Sequence, residues 1–297
     1  MPDEALAAPP EAGERSPIPS GLVLVATPIG NLGDLSPRAV SALRDADLVL
    51  CEDTRTTARL LAHAGIRART EALHEHNETA RVPALLDQLR AGKRIALVSD
   101  AGTPLVSDPG YRLVQAAVSE GLPVGAVPGA NAAVLALVLS GLPPQPFLFL
   151  GFPLPRQAAR RAGFGRLRAV ERAGLRATLI WHEAPHRLAE SLADLADAFG
   201  PRPAAVAREL TKRFEEVRRG TLPQLAAHYA AEPARGEITL VVGPASEEAA
   251  DADALDAGLR EALAAGSSVK DAAALVAGAL GLPRKVVYAR ALELARG

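Results

Sequence analysis

The sequence predicts an α/β fold built on largely parallel sheet, ending in a small helical region. Three observations carry that prediction. Short apolar runs rich in Val, Leu and Ile recur along the chain, each bounded by Gly, Pro or Asp, as buried strands are. Longer segments with apolar residues on one helical face lie between them, the βαβ alternation. Gly- and Pro-rich loops follow three of the runs, on the side where a parallel sheet collects its ligands.

Leu22 to Ala26 is the first strand. Ser36 then caps a helix with Pro37 at its first position, and Ala39, Val40, Leu43 and Ala46 form its inner face. Leu48 to Cys51 reads as a second strand, Thr56 to Ala64 as a helix and Ile95 to Val98 as another strand. The next helix turns Leu113, Val114, Ala117 and Val118 inward. Val124 to Val127 and a helix from Ala130 to Leu139 complete the pattern.

The prolines at 143, 144 and 146 mark a domain boundary. A second α/β region follows, with strands at Phe147 to Gly151, Thr178 to Trp181, Ala204 to Ala207 and Glu237 to Val242, and a helix at Pro185 to Phe199. Glu247 to Asp256 reads as an acidic, Ala-rich linker, and Val269 to Leu280 and Pro283 to Leu294 as two short helices. The expected division is a disordered tail over residues 1–20, an N-terminal α/β domain over 21–145, a second over 146–245, and a linker with a helical domain over 246–297.

Composition bounds the function. Of 297 residues, 48% are hydrophobic, enough for real cores. The net charge of −1 means that any surface attracting nucleic acid must be local. The single cysteine, Cys51, excludes an intramolecular disulfide and a Cys-based zinc cluster, and fits a reducing, cytoplasmic setting. It reads as a small apolar residue at a strand end. The acidic, Pro-rich N-terminus lacks the features of a secretory signal. Gly121 to Pro155 carries no charge, but its prolines break it too often for a membrane span.

The chemistry gathers in the loops VATPIGNLGD (Val25 to Asp34), SDAGTPLVSDPG (Ser99 to Gly110) and VPGANA (Val127 to Ala132). Gly and Pro there let backbone approach a ligand closely and fix the turns. The first loop lacks the third glycine of a dinucleotide fingerprint, and the chain has no phosphate-binding G-x-x-x-x-G-K-[ST] loop.

Together with CEDTR (Cys51 to Arg55), HEHNE (His74 to Glu78), RELTKRFEE (Arg208 to Glu216) and GEITLVV (Gly236 to Val242), these loops form an ordered series. That series closely resembles the ribosomal RNA small-subunit methyltransferase I family, a branch of the tetrapyrrole methylase superfamily. The resemblance runs from about Leu22 to Val242 and extends to the C-terminal helices. It implies two α/β domains with a cofactor cleft between them, a small helical tail domain and a homodimer. It also implies S-adenosylmethionine as cofactor, without a metal, and 2′-O-methylation of a cytidine in small-subunit (16S) ribosomal RNA. By the same resemblance Pro28, Gly102, Thr103, Pro104, Val106, Asn131, Ala132 and Ala207 line the cofactor site. Asp100 beside them either binds a polar group of the cofactor or caps a loop. A tetrapyrrole-type small-molecule methyltransferase is the alternative, since the cofactor loops would be shared.

Methyl transfer to an alcohol needs the alcohol's proton removed. Glu183, Glu209, Lys212, His74 and His76 are the candidates, with Glu183 and Lys212 preferred. His74 and His76 are expected to share a strand face, and without a third ligand they do not make a metal site. Two departures stand out. In Trp181 to Arg187 (WHEAPHR), His182 and Ala184 replace the Tyr and Ser usual in the family's stretch, and the first strand of the second domain ends GFPLPR (Gly151 to Arg156), a local variation on the family's pattern.

RNA needs local positive charge. Arg156, Arg160, Arg161, Arg166, Arg168, Arg172 and Arg176 form a run that either grips phosphates or is a solvated face. Arg55, His74, His76 and Arg208 are further RNA candidates. Asp53 and Arg55 read equally as a local ion pair, and Glu215 and Glu216 as a solvated pair. The C-terminal helices, with Lys270, Arg284, Lys285 and Arg290, read as an RNA clamp or as a packing cap.

Overall fold

The computed structural model describes residues 21–245 and 247–295, so the expected N-terminal tail lies outside the described residues. The chain divides into two compact units at Asn131/Ala132, ahead of the proline cluster.

The first unit holds β1 (Leu22–Val25), α1 (Pro37–Asp45), β2 (Leu48–Cys51), α2 (Thr54–His63), β3 (Thr70–Ala72), α3 (Glu75–Arg90), β4 (Ile95–Val98), α4 (Tyr111–Ser119) and β5 (Val124–Val127). Its sheet has the order β3-β2-β4-β1-β5, parallel throughout. Alternate residues of each strand serve opposite faces. Val23, Val25, Val49, Ala96 and Val98 pack with α1 and α2, whereas Leu22, Leu48, Leu50, Ile95 and Leu97 pack with α3 and α4. Burial on both faces explains why the strands read as continuous apolar runs. Ser36 caps α1 as expected, its hydroxyl accepting from Ala39 N–H at 3.1 Å, with Pro37 in the first turn. Cys51 is fully buried at its strand end.

Three expectations change here. His74 and His76 do not share a strand, because His74 precedes α3 and His76 sits in its first turn. Val118, expected inward on α4, is 61% exposed, and Leu113 and Ala117 alone are fully buried there. The helix expected from Ala130 is α5 (Ala132–Ser140) and belongs to the second unit, where it packs on strands of the second sheet.

That unit continues with β6 (Phe147–Phe149), α6 (Gln157–Arg172), β7 (Thr178–Glu183), α7 (Leu188–Phe199), β8 (Pro203–Arg208), β9 (Glu216–Thr221), α8 (Leu222–Ala231) and β10 (Ile238–Val242). Its sheet has the order β6-β7-β10-β8-β9, and only the β6–β7 pair is parallel. Leu179, Trp181, Val206 and Leu240 face α6, α7 and α8. The alternate residues, Ile180, His182, Ala205, Ala207, Thr239 and Val241, take the opposite face by the period of two. Where a linker was expected the chain forms α9 (Glu247–Ala264), whose Leu255, Leu259 and Ala262 share a core with α10 (Val269–Leu280) and α11 (Arg284–Leu294). No helix among the described residues is long and apolar enough to cross a membrane.

Candidate functional site

Because β4, β1 and β5 are parallel neighbours, the three loops leaving their carboxyl ends lie side by side. They are laced together. Thr27 and Gly102 exchange backbone hydrogen bonds at 2.9 and 3.1 Å. Thr27 Oγ1 donates to Ser99 O at 3.1 Å, and Ser99 Oγ to Gly102 O at 2.9 Å. Thr103 Oγ1 donates to Ala130 O at 3.2 Å and accepts from Asn131 Nδ2 at 3.5 Å. Pro28 and Pro104 are buried, Val106 is half-buried, and Leu105 and Ser107 hold left-handed backbone at φ 70° and 69°. Such strain persists only where surrounding structure enforces it.

Gly102 has φ +84°, and a Cβ there would lie 3.2 Å from Ile29 Cγ2 and 3.4 Å from Ala130 O. The space above this glycine is thus taken by the protein's own neighbouring loops, not reserved for a ligand alone.

The rim is acidic. Asp100 Oδ1 accepts from Asp53 N–H at 3.1 Å, so one of its expected roles, tying loops, is present. Asp53 caps α2 and pairs with the exposed Arg55 at 2.8 Å; that hydrogen bond holds the Asp53 carboxyl down at about 2. Burial, then the charges of Glu52 and Asp100, push Asp108 up to about 6. Crowded carboxylates of this kind suit a cationic ligand. Glu78, buried at 5%, accepts from Arg112 N–H at 2.7 Å and Leu113 N–H at 3.2 Å. Its carboxylate thereby satisfies the first turn of α4 and anchors the end of the 99–110 loop. Among the described residues no group of three or more His, Cys, Asp or Glu could hold a metal ion.

In the second unit Ala207 lies in a cross-strand row with Thr239 and His182. Ala132 opens α5. Glu183, 2% exposed, is no free base: Oε1 accepts from Ala184 N–H at 2.8 Å and pairs with Arg187 at 2.5 Å, while Oε2 accepts from Ser191 Oγ. Its saturated carboxylate anchors the turn into α7. Lys212 Nζ donates to Glu209 Oε1 at 2.8 Å and lies 3.2 Å from Glu237 Oε2. Partial burial opposes its charge, but these carboxylates prevail and raise its pKa, so it acts as a cation and not as a base. Glu209 is pulled below the usual carboxylate range by Lys212 and the Glu237 backbone. Residues 208–216 form a braced loop, with positive φ at Glu209 and Thr211, and Thr211 N–H donating to Glu215 Oε2 at 2.6 Å.

Several members of the arginine run are ion-paired, and Arg160 among them is buried. Arg160 is 1% exposed; its Nε and Nη2 lie 2.8 and 2.6 Å from Asp194, itself 1% exposed. Arg161 joins Asp194 at 2.6 Å and Asp197 at 2.5 Å, and Arg168 lies 3.4 Å from the buried Glu171, which Arg202 grips bidentately at 2.6 and 2.7 Å. Arg172 and Arg176 are engaged as well. Arg160 is therefore corrected from an RNA contact to framework, while Arg161, though ion-paired, is exposed like Arg156 and Arg166. Arg208 pairs with Glu216 at 2.8 Å, so Glu216 is an ion-pair partner in β9 and not a freely solvated residue. Arg290, held by Asp256 at 2.6 Å, is likewise committed. His74 is half-buried at the start of α3, its ring 6.0 Å from that of the exposed His76.

Sequence reasoning missed the capping role of Glu78, the acidic focus at Asp108 and the exposed Arg213–Phe214 pair, 5.6 Å from guanidinium to ring. It singled out His182 only as a departure from a pattern. The signals were local: an acid opposite a helix start, a second Asp in the 99–110 loop, an aromatic in a charged loop.

Comparisons with known proteins agree with this architecture. A family model described as tetrapyrrole (corrin/porphyrin) methylases matches residues 21–226, and one described as RsmI C-terminal HTH domain matches 248–295. A protein of Mesorhizobium japonicum named ribosomal RNA small subunit methyltransferase I is 48% identical, covering 94% of this chain and 93% of its own. The protein of that name in Pseudomonas aeruginosa is 46% identical, covering 92% and 96%. Among solved structures, a diphthine synthase matches in fold at TM-score 0.57 and 16% identity, over 75% of this chain and 90% of its own. With loops, sheet order and sequence in agreement over both α/β regions and the terminal helices, the chain belongs to the ribosomal RNA small-subunit methyltransferase I family of tetrapyrrole methylases.

Proposed function

We propose that this protein transfers the methyl group of S-adenosylmethionine to the ribose 2′-oxygen of a cytidine in small-subunit ribosomal RNA. It does so as a homodimer in the cytoplasm, without a metal. The observation that carries the reading is the trio of laced loops on adjacent strands β4, β1 and β5, with Asp100 and Asp108 at their edge. Pro28, Asp100, Gly102, Thr103 and Asn131 hold the cofactor on this rim. The cofactor supplies an activated methyl group, and positioning supplies much of the rate. The relatives' shared name, at 38–49% identity, directs the activity to ribosomal RNA. Arg55, Arg156, Arg166 and the Arg213–Phe214 pair are the exposed groups suited to phosphates and an unpaired base.

The test is to incubate the purified protein with methyl-labelled cofactor and small subunits from a strain lacking the gene. Label is expected in 2′-O-methylcytidine of small-subunit RNA. Label in no RNA, or only in base-methylated nucleosides, refutes the reading. Light scattering checks the two-copy assembly.

A further inference from the structure

Residues 209–215 form the tip of the β8–β9 hairpin, closed by the facing pair Arg208 and Glu216, whose side chains join at 2.8 Å. The tip is firmly braced. Glu209 N–H donates to Glu237 O and Glu237 N–H to Glu209 Oε1, both at 3.0 Å, which stitches the tip to the loop before β10. Lys212 N–H donates to Glu209 O at 3.0 Å, and Glu215 N–H to Lys212 O at 3.1 Å. Leu210, 6% exposed, is the apolar anchor. Glu209 and Thr211 hold left-handed backbone at φ 51° and 65°, and Thr211 Oγ1 is buried without a hydrogen-bond partner among the described residues. That conformation is unfavourable for a β-branched residue, and such strain gathers where a loop clamps a ligand.

What the braced tip presents is one ring and one charge. Phe214 is 65% exposed, although Leu210 shows that the same tip can bury an apolar side chain. The Arg213 guanidinium lies 5.6 Å from the Phe214 ring centroid, within cation–π range. The neighbouring charges are spent: Arg208 and Arg218 on Glu216, Lys212 on Glu209 and Glu237, and Glu215 on the Thr211 N–H. Arg213 is exposed and has no ion pair among the described residues.

We propose that this tip is a clamp for one unpaired nucleotide of the RNA substrate, with Phe214 stacking on the base and Arg213 meeting an adjacent phosphate. This rests on the reading of RNA as the substrate and deepens it. A nucleotide joins a flat π-face to an anion, and the tip sets a ring beside a cation. A protein partner packing an apolar patch on Phe214 would bury the Arg213 charge, whereas RNA brings a phosphate to meet it. A base inside a helix has both faces covered, so the ring selects nucleotides that have left the stack. Every base has a π-face, so the clamp reads an unpaired strand and not base identity. A tip ordered before binding also loses little conformational freedom on association.

The experiment titrates the full-length Phe214→Trp variant with single-stranded oligocytidylate RNA and with an RNA duplex of equal length. The one native tryptophan, Trp181, is 2% exposed in the core of the second sheet, so the new indole alone reports on the surface. Its fluorescence should be quenched by the single strand and not by the duplex. Phe214→Ala should weaken single-strand binding roughly 10-fold, as the loss of one stacked base does. Arg213→Gln should lower the slope of log affinity against log salt by roughly 0.7, the signature of one phosphate contact, while Phe214→Ala leaves that slope unchanged. No quenching, equal quenching by the duplex, or wild-type affinity in Phe214→Ala overturns the proposal. A Phe214→Ala variant that binds RNA normally but loses the two-copy assembly overturns it too, and assigns the ring to contact between copies. If the wild type leaves small subunits unmethylated while the single strand still quenches Phe214→Trp, the methyl-transfer reading fails and the clamp stands. If the wild type methylates them and the quenching is absent, the clamp alone fails.

Discussion

Arg160→Gln separates framework from RNA contact in the arginine-rich helix. The wild-type guanidinium, 1% exposed, reaches Asp194 through Nε and Nη2 at 2.8 and 2.6 Å, and its Nη1 donates to Pro155 O at 3.5 Å. Removing one partner of a buried pair costs about 3–5 kcal/mol, because the remaining charge stays buried without full compensation. Asp194 would keep Arg161 at 2.6 Å and Gln157 at 3.3 Å, which places the loss at the lower end, about 3 kcal/mol. For a unit of this size that lowers the melting temperature by roughly 6–12 °C. Burial works to raise the Asp194 pKa, but Arg161 and Arg160 outweigh it and the net shift is downward. The pair's contribution is therefore present above the unfolded carboxylate pKa, near 3.8, and is lost as pH falls through the lower folded value. The deficit should thus be fully visible at pH 7 and shrink in acid. The assay is thermal and urea unfolding by circular dichroism, with RNA binding measured from low to moderate salt. An unchanged melting temperature, with the slope of log affinity against log salt smaller by roughly 0.7–0.9, would refute the framework reading and restore Arg160 as a phosphate contact.

Other perturbations reach the rim. Glu78→Ala should lose about 1–2 kcal/mol of stability in urea unfolding, as lost caps do, and weaken cofactor binding in calorimetry by loosening the 99–110 loop. For Asp108 the sign runs the other way from Asp194. Its folded pKa is raised to about 6, so the unliganded fold prefers the protonated acid and loses stability as pH rises from 4 to 6. A cation favours the carboxylate, so cofactor affinity should increase through pH 6 in the wild type and be flat there in Asp108→Asn. Gly102→Ala should destabilise the protein by about 1–2 kcal/mol even without cofactor, because φ +84° disfavours any Cβ and Ile29 crowds it; equal melting curves would count against this. Chelator should leave cofactor affinity unchanged in calorimetry, and a loss would show that a metal takes part.

Elements whose signal is local were legible. β1, β2 and β4 are short apolar runs because both sheet faces are covered, β5 is an apolar run at the sheet edge, and Ser36–Pro37 announces α1 with a cap and a first-turn proline. Pro83 inside α3 disguises a helix of 16 residues, so HEHNE reads as strand. β9, with the sequence Glu-Val-Arg-Arg-Gly-Thr, hides as an edge strand whose charges pair sideways. The antiparallel character of the second sheet had no signature, since a strand buried on both faces reads alike in either direction. α9 reads as a linker because alanine and acidic residues serve a solvated helix face as well as a tether. Its buried Leu255 and Leu259 acquire meaning only with α10 and α11 in place.

The site divides along the same line between local signal and three-dimensional context. Glycine and proline loops showed where ligand chemistry gathers, because backbone demands are written into single residues such as Gly102. Charge is different, since its role depends on partners distant in sequence. Arg160 and Arg166 are equivalent in the sequence, yet one is sealed against Asp194 and the other is exposed, because they occupy different faces of α6. Glu183 and His182 are adjacent, and the strand's period of two sends them to opposite faces. The carboxylate, the candidate that the sequence favours, meets Ser191, Arg187 and the Ala184 amide and is spent on structure. The imidazole meets one hydroxyl and two aromatic rings. A base must have basicity left over after the fold has used what it needs, and Glu183 has none.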